Sequence, residues 1–177
     1  YPGKYATTHP DRAAFIMAST GETVTYTEFE GRSNRLAQLL RAQGLIHEDH
    51  YSVFMENNNR YLEACAAGER AGLYYTCINS FLTAEEVAYI IQNSESQVLI
   101  TSVAKQEVAL AAAASCPQLK LILVVDGDPN TLSGICQDYA EACAEHSDAP
   151  IDNEQLGTSM LYSSGTTGRP KGIIRPL

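Results

Sequence analysis

Residues 162 to 172 read Tyr-Ser-Ser-Gly-Thr-Thr-Gly-Arg-Pro-Lys-Gly and carry the densest chemistry in the chain. Gly165 and Gly168 allow positive φ and close approach of the backbone to a ligand. Successive loop amides can then form a concave anion site. Ser163, Ser164, Thr166 and Thr167 add hydroxyl donors, and Lys171, followed by Gly172, adds a positive charge. That charge is worth more in a closed site than in open water. Pro170 fixes one φ and stiffens the approach to the lysine. Hydroxyls, glycines and a pinned lysine in one short run suit the gripping of phosphate groups, and a mere surface turn needs none of that lysine chemistry.

A Walker-type phosphate loop would need Gly-Lys-Ser/Thr at the opening of a helix. Here Lys171 sits between Pro170 and Gly172, with Pro176 close behind, which argues against a helix starting at the lysine. Gly172-Ile173-Ile174 reads instead as a return strand, so the loop is expected to join two strands. Thr158 to Tyr162 reads as the strand that leads into it, and open α/β sheets bind ligands beyond strand carboxyl ends.

The elements that must position this loop alternate along the chain. Thr23 to Glu28 runs extended into a helix that Thr27 can cap. Its apolar positions Phe29, Leu36, Ala37, Leu39 and Leu40 recur at helical spacing up to Gly44, with Glu30, Arg32, Arg35 and Arg41 on the opposite face. Tyr51 to Met55 reads as a strand. Asn57-Asn58-Asn59 can cap the next helix, Arg60 to Ala71, or line a pocket after the strand, and capping explains the run at least as well. Gly72 stops that helix and Leu73 to Ile78 is a second short strand. Thr83-Ala84-Glu85-Glu86 is a capping box for a helix running to about Asn93. A strand at Gln97 to Thr101, an alanine-rich helix at Ala104 to Ser115, a strand at Leu119 to Val125 and a helix at Gly134 to His146 follow. Short apolar strands between helices imply βαβ units: an α/β fold with a mostly parallel sheet and helices on both faces. Asp126 to Asn130 and Asp148 to Gln155 read as surface loops within a single domain, residues 1–177.

Composition closes off other classes. Twelve Lys and Arg against 21 Asp and Glu give a net charge of −9. That excludes the basic face a nucleic-acid binder needs and disfavours a polybasic membrane mode. The longest clean apolar run, Val108 to Ala114, falls far short of the ~20 residues of a transmembrane helix, and no signal peptide is visible. A cytoplasmic protein is expected, and the residues leave peripheral contact with a membrane open. Five cysteines with no Cys-x-x-Cys read as small apolar packing groups rather than redox or metal chemistry. Cys136 and Cys143 could share one helix face. His47-Glu48-Asp49-His50 has a metal-like look but falls where a polar turn belongs. His9 and His146 stand alone and read as exposed. Alternation at Tyr74-Tyr75 would bury one ring and turn the other outward.

Residues 163 to 172 match, at every specified position, the signature loop Ser/Thr-Ser-Gly-Ser/Thr-Thr-Gly-x-Pro-Lys-Gly of the adenylate-forming superfamily, and the chain resembles that superfamily. Its members include acyl- and aryl-CoA synthetases, adenylation domains of peptide synthetases and beetle luciferases. Thr25 to Phe29 with Ser33 to Ala37, then Arg70 to Tyr75, then Asn79 to Glu86 are similar to further family landmarks. The combined pattern looks closest to bacterial fatty-acyl-CoA synthetases. The resemblance implies attack of a carboxylate on the α-phosphate of ATP-Mg²⁺, departure of pyrophosphate, and displacement of AMP by the thiol of coenzyme A. It implies that Ser163, Ser164, Gly165, Thr166, Thr167, Gly168, Lys171 and Gly172 bind the nucleotide, with Thr166, Thr167 and Lys171 holding the β- and γ-phosphates. It also implies that the adenine, ribose and magnesium segments and a late lysine lie downstream. The 177 residues are then the N-terminal α/β subdomain of a ligase and are expected to make no acyl-adenylate alone. An aryl-CoA ligase, a peptide-synthetase adenylation domain and a non-catalytic α/β domain remain alternatives. Many family members place Thr-His shortly after Lys-Gly, where this chain has Pro176 and Leu177.

Overall fold

The computed structural model describes residues 3–163 and 169–177. A short helix α1 (Gly3–Thr8) precedes a hairpin of β1 (Ala13–Ile16) and β2 (Thr23–Thr25), none of which but β2 is expected from the sequence pattern. Helix α2 (Tyr26–Ala42) leads to β3 (His50–Phe54), α3 (Tyr61–Ala71), β4 (Tyr74–Cys77) and α4 (Ala84–Asn93). Then come β5 (Val98–Ser102), a 3-10 turn (Val103–Lys105), α5 (Gln106–Ala113), β6 (Leu121–Val125), β7 (Cys136–Asp138) and α6 (Tyr139–Ala144). Strands β8 (Thr158–Ser159), β9 (Leu161–Ser163) and β10 (Lys171–Ile173) close the chain.

Among the described residues, six parallel strands form one sheet in the order β7-β6-β5-β3-β4-β8. The chain winds outward from β3 to β4, then crosses back over β3 to β5 and onward to β7. Helices cover both faces, as the alternation of elements implied. Tyr51, Val53, Ile100 and Leu123 pack with α2, α3 and α6. Phe54, Leu99, Ile122 and Val124 point the other way, to α4 and α5. The period-2 alternation of side chains thus feeds two cores at once, which is why these strands are apolar throughout. It also corrects the expectation for Tyr74-Tyr75. Both rings are buried, Tyr75 toward α3 and Tyr74 under His50, whose ring stacks on it at 4.8 Å.

Local rules explain most helix ends and one correction. Helix α2 is capped by Thr25, not Thr27: the Glu28 amide donates to Thr25 Oγ1 at 3.2 Å and the Thr25 amide to Glu28 Oε2 at 2.8 Å. Two Thr-x-x-Glu frames overlap here, and tertiary contacts choose between them. Thr27 Oγ1 donates instead to the Pro10 carbonyl, and Glu30 is taken by Arg70. The Thr83 capping box forms as expected, and Gly72 ends α3 in the left-handed region at φ +70. Asn57 to Asn59 do not cap α3. Arg60 stands at the N-cap without a side-chain bond, Asn58 Oδ1 accepts from the Arg60 amide, and Asn59 donates to Glu22.

Two further expectations need correction. Residues 134 to 146 are not one helix. Gly134 turns at φ +64, Cys136 to Asp138 add an edge strand to β6, and Asp138 then caps the short α6 by accepting from the Glu141 amide at 2.8 Å. Strand pairing overrides helix propensity, so Cys136 and Cys143 share no helix face. The 158–162 strand breaks at the buried Met160: β8 stays in the parallel sheet, while β9 leaves it to pair with β10.

The loop at 148–155 is bound more firmly than a surface connector. Asn34, Arg35, Gln38 and Arg41, all on α2, donate to its backbone carbonyls or to that of His146. The fully buried Arg70 lies behind it, its fork on Glu30 at 3.0 and 2.5 Å with Glu154 at 3.4 Å. Beyond, Gly157 crosses the corner between α3 and β4. A Cβ there would lie 2.2 Å from the Gly68 carbonyl oxygen and 2.4 Å from that of Leu73. Backbone walls cannot yield as side-chain tips do. Gly157→Ala should therefore cost about 3 kcal/mol, at the upper end of overpacking effects, read as a lower urea midpoint with an unchanged slope. Arg70→Met should cost about 3 kcal/mol because it strands two carboxylates. In the double variant with Glu30→Gln the losses should fall short of additive, and additive losses would show that the fork carries no coupling.

Candidate functional site

The candidate loop is held between antiparallel strands. Ser163 on β9 faces Lys171 on β10, Tyr162 faces Gly172, and Leu161 faces Ile173. The return strand expected from Gly172-Ile173-Ile174 is present, and Lys171 opens a strand rather than a helix. Ser164, Gly165, Thr166, Thr167 and Gly168 lie outside the described residues. Of the remaining candidates, Ser163 and Lys171 are exposed neighbours across the mouth of the hairpin. At Gly172 a Cβ would meet Met160 Cε at 2.3 Å and the Tyr162 ring at 3.1 Å, so a larger residue there would have to displace the methionine tip.

Direction follows from β8. Thr158 and Ser159 pair with Tyr74 and Tyr75, and the Met160 amide donates to the Tyr75 carbonyl at 2.9 Å. The chain therefore runs with β4 and delivers the loop at the carboxyl edge of the sheet, where open α/β folds present ligand sites.

Three tyrosine hydroxyls fasten the hairpin to the body. Tyr89 of α4 donates to the Pro170 carbonyl at 3.0 Å, Tyr162 to Asn93 Oδ1 at 2.7 Å, and Tyr74 to the Arg175 carbonyl at 2.7 Å. The Arg169 guanidinium lies over the Tyr89 ring, 5.1 Å from its centre. Each ring is partly or wholly buried and its hydroxyl bridges the hairpin segment and the body, from the body for Tyr89 and Tyr74 and from the hairpin for Tyr162. Burial pushes the Tyr162 hydroxyl up to about 12, so it stays protonated as a donor at neutral pH. Sequence reasoning missed these anchors. Tyr89 stands 81 residues from the carbonyl it holds, and no local pattern marks such a pair.

Two open spaces flank this region. A groove of about 780 Å³ runs between α4 and α5 beside Arg169 and Pro170. Glu85 and Glu86 line it against the single cation Arg169, so the groove disfavours an anionic ligand. A second cleft, of about 390 Å³, opens beyond β3 and β4 between Glu56, Asn57, Tyr61 and Asn79. Burial raises the Glu56 carboxyl, but hydrogen bonds from Ser102 at 2.5 Å and Asn58 at 3.3 Å, with Lys105 nearby, bring it below its ordinary value. It is a fixed anionic wall at neutral pH.

His47-Glu48-Asp49-His50 forms a turn: Asp49 Oδ2 accepts from the Ile46 amide at 2.8 Å, and Glu48 adopts φ +71. Burial lowers the His50 imidazole's pKa, against the pull of Glu95 and Asp49. His9 is exposed and His146 half-buried. Among the described residues, no three His, Cys, Asp or Glu side chains gather as a metal site, and no helix is long and apolar enough to cross a membrane.

The family model described as AMP-binding enzyme matches residues 4–176. The 3-oxocholest-4-en-26-oate–CoA ligase of Rhodococcus rhodochrous is 32% identical over 93% of this chain and 30% of its own length. The medium-chain-fatty-acid–CoA ligase of Ectopseudomonas oleovorans is 28% identical over 94% of this chain and 32% of its own length. The crystal structure of an anthranilate CoA ligase in complex with anthranoyl-AMP superimposes with a TM-score of 0.86 at 19% identity, over 97% of this chain and 33% of that one. The chain thus spans about a third of the length of these proteins. With a match running from one end of the fold to the other and through the loop between β9 and β10, the chain belongs to the AMP-binding enzyme family.

Proposed function

We propose that the chain is the N-terminal α/β subdomain of an ATP-dependent acid–thiol ligase. In this reading the whole protein joins a fatty or similar carboxylic acid to AMP and then passes the acyl group to coenzyme A. The observation that carries the reading is the glycine–hydroxyl–lysine loop of residues 163–172, slung between two strands at the carboxyl edge of a parallel sheet.

When the carboxylate oxygen attacks the α-phosphorus, the bond to the β-phosphate oxygen breaks and negative charge gathers on the departing pyrophosphate. Catalysis of such a step rests on positioning and on charge held where it develops. Lys171 supplies a cation on a fixed backbone, which is paired with Ser163 and follows a Pro170 carbonyl held by Tyr89. Ser163, Ser164, Thr166 and Thr167 supply hydroxyl donors, and Gly165 and Gly168 leave the amides bare. ATP enters with magnesium, whose coordination the family resemblance assigns to the rest of the protein, along with the adenine and the acceptor thiol.

In the whole protein, Lys171→Ala should lower carboxylate-dependent pyrophosphate exchange by on the order of 10²–10³-fold while the urea midpoint stays in place. Unchanged exchange would remove the lysine from the phosphate site.

A second reading concerns the acid. The Rhodococcus relative, more identical to this chain than the fatty-acid ligase from Ectopseudomonas, is named for a ring-bearing acid. A panel of straight-chain, aryl and polycyclic acids, each assayed with ATP with and without coenzyme A, separates the cases. Preference for straight chains is expected. A polycyclic preference would transfer the assignment to the second reading, and adenylate formation with no coenzyme A product would point to another acceptor.

A further inference from the structure

Two thiols meet where α3 passes the carboxyl end of β4. Cys65, on the second turn of α3, and Cys77, the last residue of β4, have Sγ atoms 3.7 Å apart. Nothing in their spacing announces the pair, which the antiparallel pass of the helix over its own strand creates. They differ from Cys116 and Cys143, which are buried in the cores: Cys77 is exposed and Cys65 half-buried. Cys65 also lines an apolar cleft of about 290 Å³ with Tyr5, Tyr26, Phe29 and Leu62, open to small reagents. A disulfide needs its sulfurs at about 2.05 Å, so these two must close by about 1.7 Å, a distance that side-chain rotation can supply.

The surroundings divide the labour between the sulfurs. The hydrogen bond from Cys65, helped by the Tyr61 hydroxyl, draws the Cys77 thiol down to about 7 although burial raises it. The Cys65 thiol moves up, through the proton it shares with Cys77 and through burial, with Glu69 adding to the shift. Tyr51 and Tyr75 also border the pair. Cys77, the more exposed of the two, is thus the nucleophile, and Cys65 the thiol that resolves what forms on it.

We propose that Cys65 and Cys77 form a peroxide-sensitive modification site that closes to an intramolecular disulfide between α3 and β4. The Cys77 thiolate attacks one oxygen of hydrogen peroxide or an organic hydroperoxide. An S–O bond forms, the O–O bond breaks, and the leaving oxygen takes a proton and departs as water or an alcohol. The Cys65 sulfur then attacks the Cys77 sulfenic acid. The S–S bond forms as the S–O bond breaks, and the hydroxyl leaves as water with the Cys65 proton. Two electrons pass from the sulfur pair to the peroxide, and a dithiol reductant returns them.

The test uses the intact protein, treated with hydrogen peroxide, unfolded, alkylated with iodoacetamide and digested with trypsin. Cleavage after Arg70 separates the two cysteines, so the bond appears as two linked peptides that part on reduction. Labelling at Cys65 and Cys77 should be lost together while Cys116, Cys136 and Cys143 stay fully alkylated. In Cys65→Ser the linked peptides should vanish and dimedone should trap a sulfenic acid at Cys77. Full alkylation of both cysteines after peroxide, linkage of Cys77 to another cysteine, or a Cys65→Ser protein with no dimedone adduct would each overturn the proposal. The wild-type peptide map needs no variant to fold.

Discussion

A backbone crossing with no room for a side chain governs how this chain presents its loop. At Gly157 the strand segment passes against the carbonyls of Gly68 and Leu73, closer than any Cβ tolerates. That contact lets the Gly157 amide reach the Glu69 carbonyl at 2.8 Å and the Thr158 amide reach Leu73 at 3.1 Å, and so seats β8 beside β4. The Arg70 fork, one residue beyond Glu69, ties the same corner to α2 through Glu30 and to the preceding loop through Glu154. Three segments distant in sequence meet there. Breaking the corner would release β8, and with it the direction in which residues 163–172 leave the sheet.

Downstream of β8 the problem changes from direction to rigidity. A phosphate-gripping loop gains nothing from its amides unless they are held before the ligand arrives. The chain is strongly acidic, with a net charge of −9, so long-range steering does not favour a polyphosphate. In the proposed function, attraction must come from close groups in a fixed arrangement. The hairpin pairing of Ser163 with Lys171 and the three tyrosine hydroxyls on Pro170, Asn93 and Arg175 supply that fixity outside the loop proper. Arg169 adds a cation whose position over Tyr89 is set by the same anchor.

Much of the fold is legible because its signals are local. Capping boxes, the left-handed Gly72 and apolar strands between helices each act within a few residues, and together they imply a doubly covered parallel sheet. The loop is legible for the same reason, since its chemistry lies in consecutive residues. What stays hidden is set by contacts distant in sequence. Thr25 and Thr27 offer equivalent frames until Arg70 claims Glu30. Residues 136–138 look helical until β6 offers an edge to pair with. One ring of the Tyr74-Tyr75 pair looks outward-facing until His50 and the 175 carbonyl cover Tyr74. Gly157, Arg70 and Tyr89 bear on the site without any motif, because their partners are 40 to 89 residues away when read along the chain.

The thiol pair follows from the same geometry. Helix α3 runs antiparallel to the strand it precedes, so its last turn meets the start of β4 and its first turns meet the end. The first meeting is the backbone corner at Gly68, Leu73 and Gly157, fixed by sterics. The second is Cys65 against Cys77, held by a hydrogen bond between sulfurs. Only the second can change its bonding. A disulfide there would pin α3 to β4 at both ends, and the newly pinned end is the carboxyl edge from which the loop emerges. The edge that suits the sheet to ligand binding is also where oxidation would stiffen it.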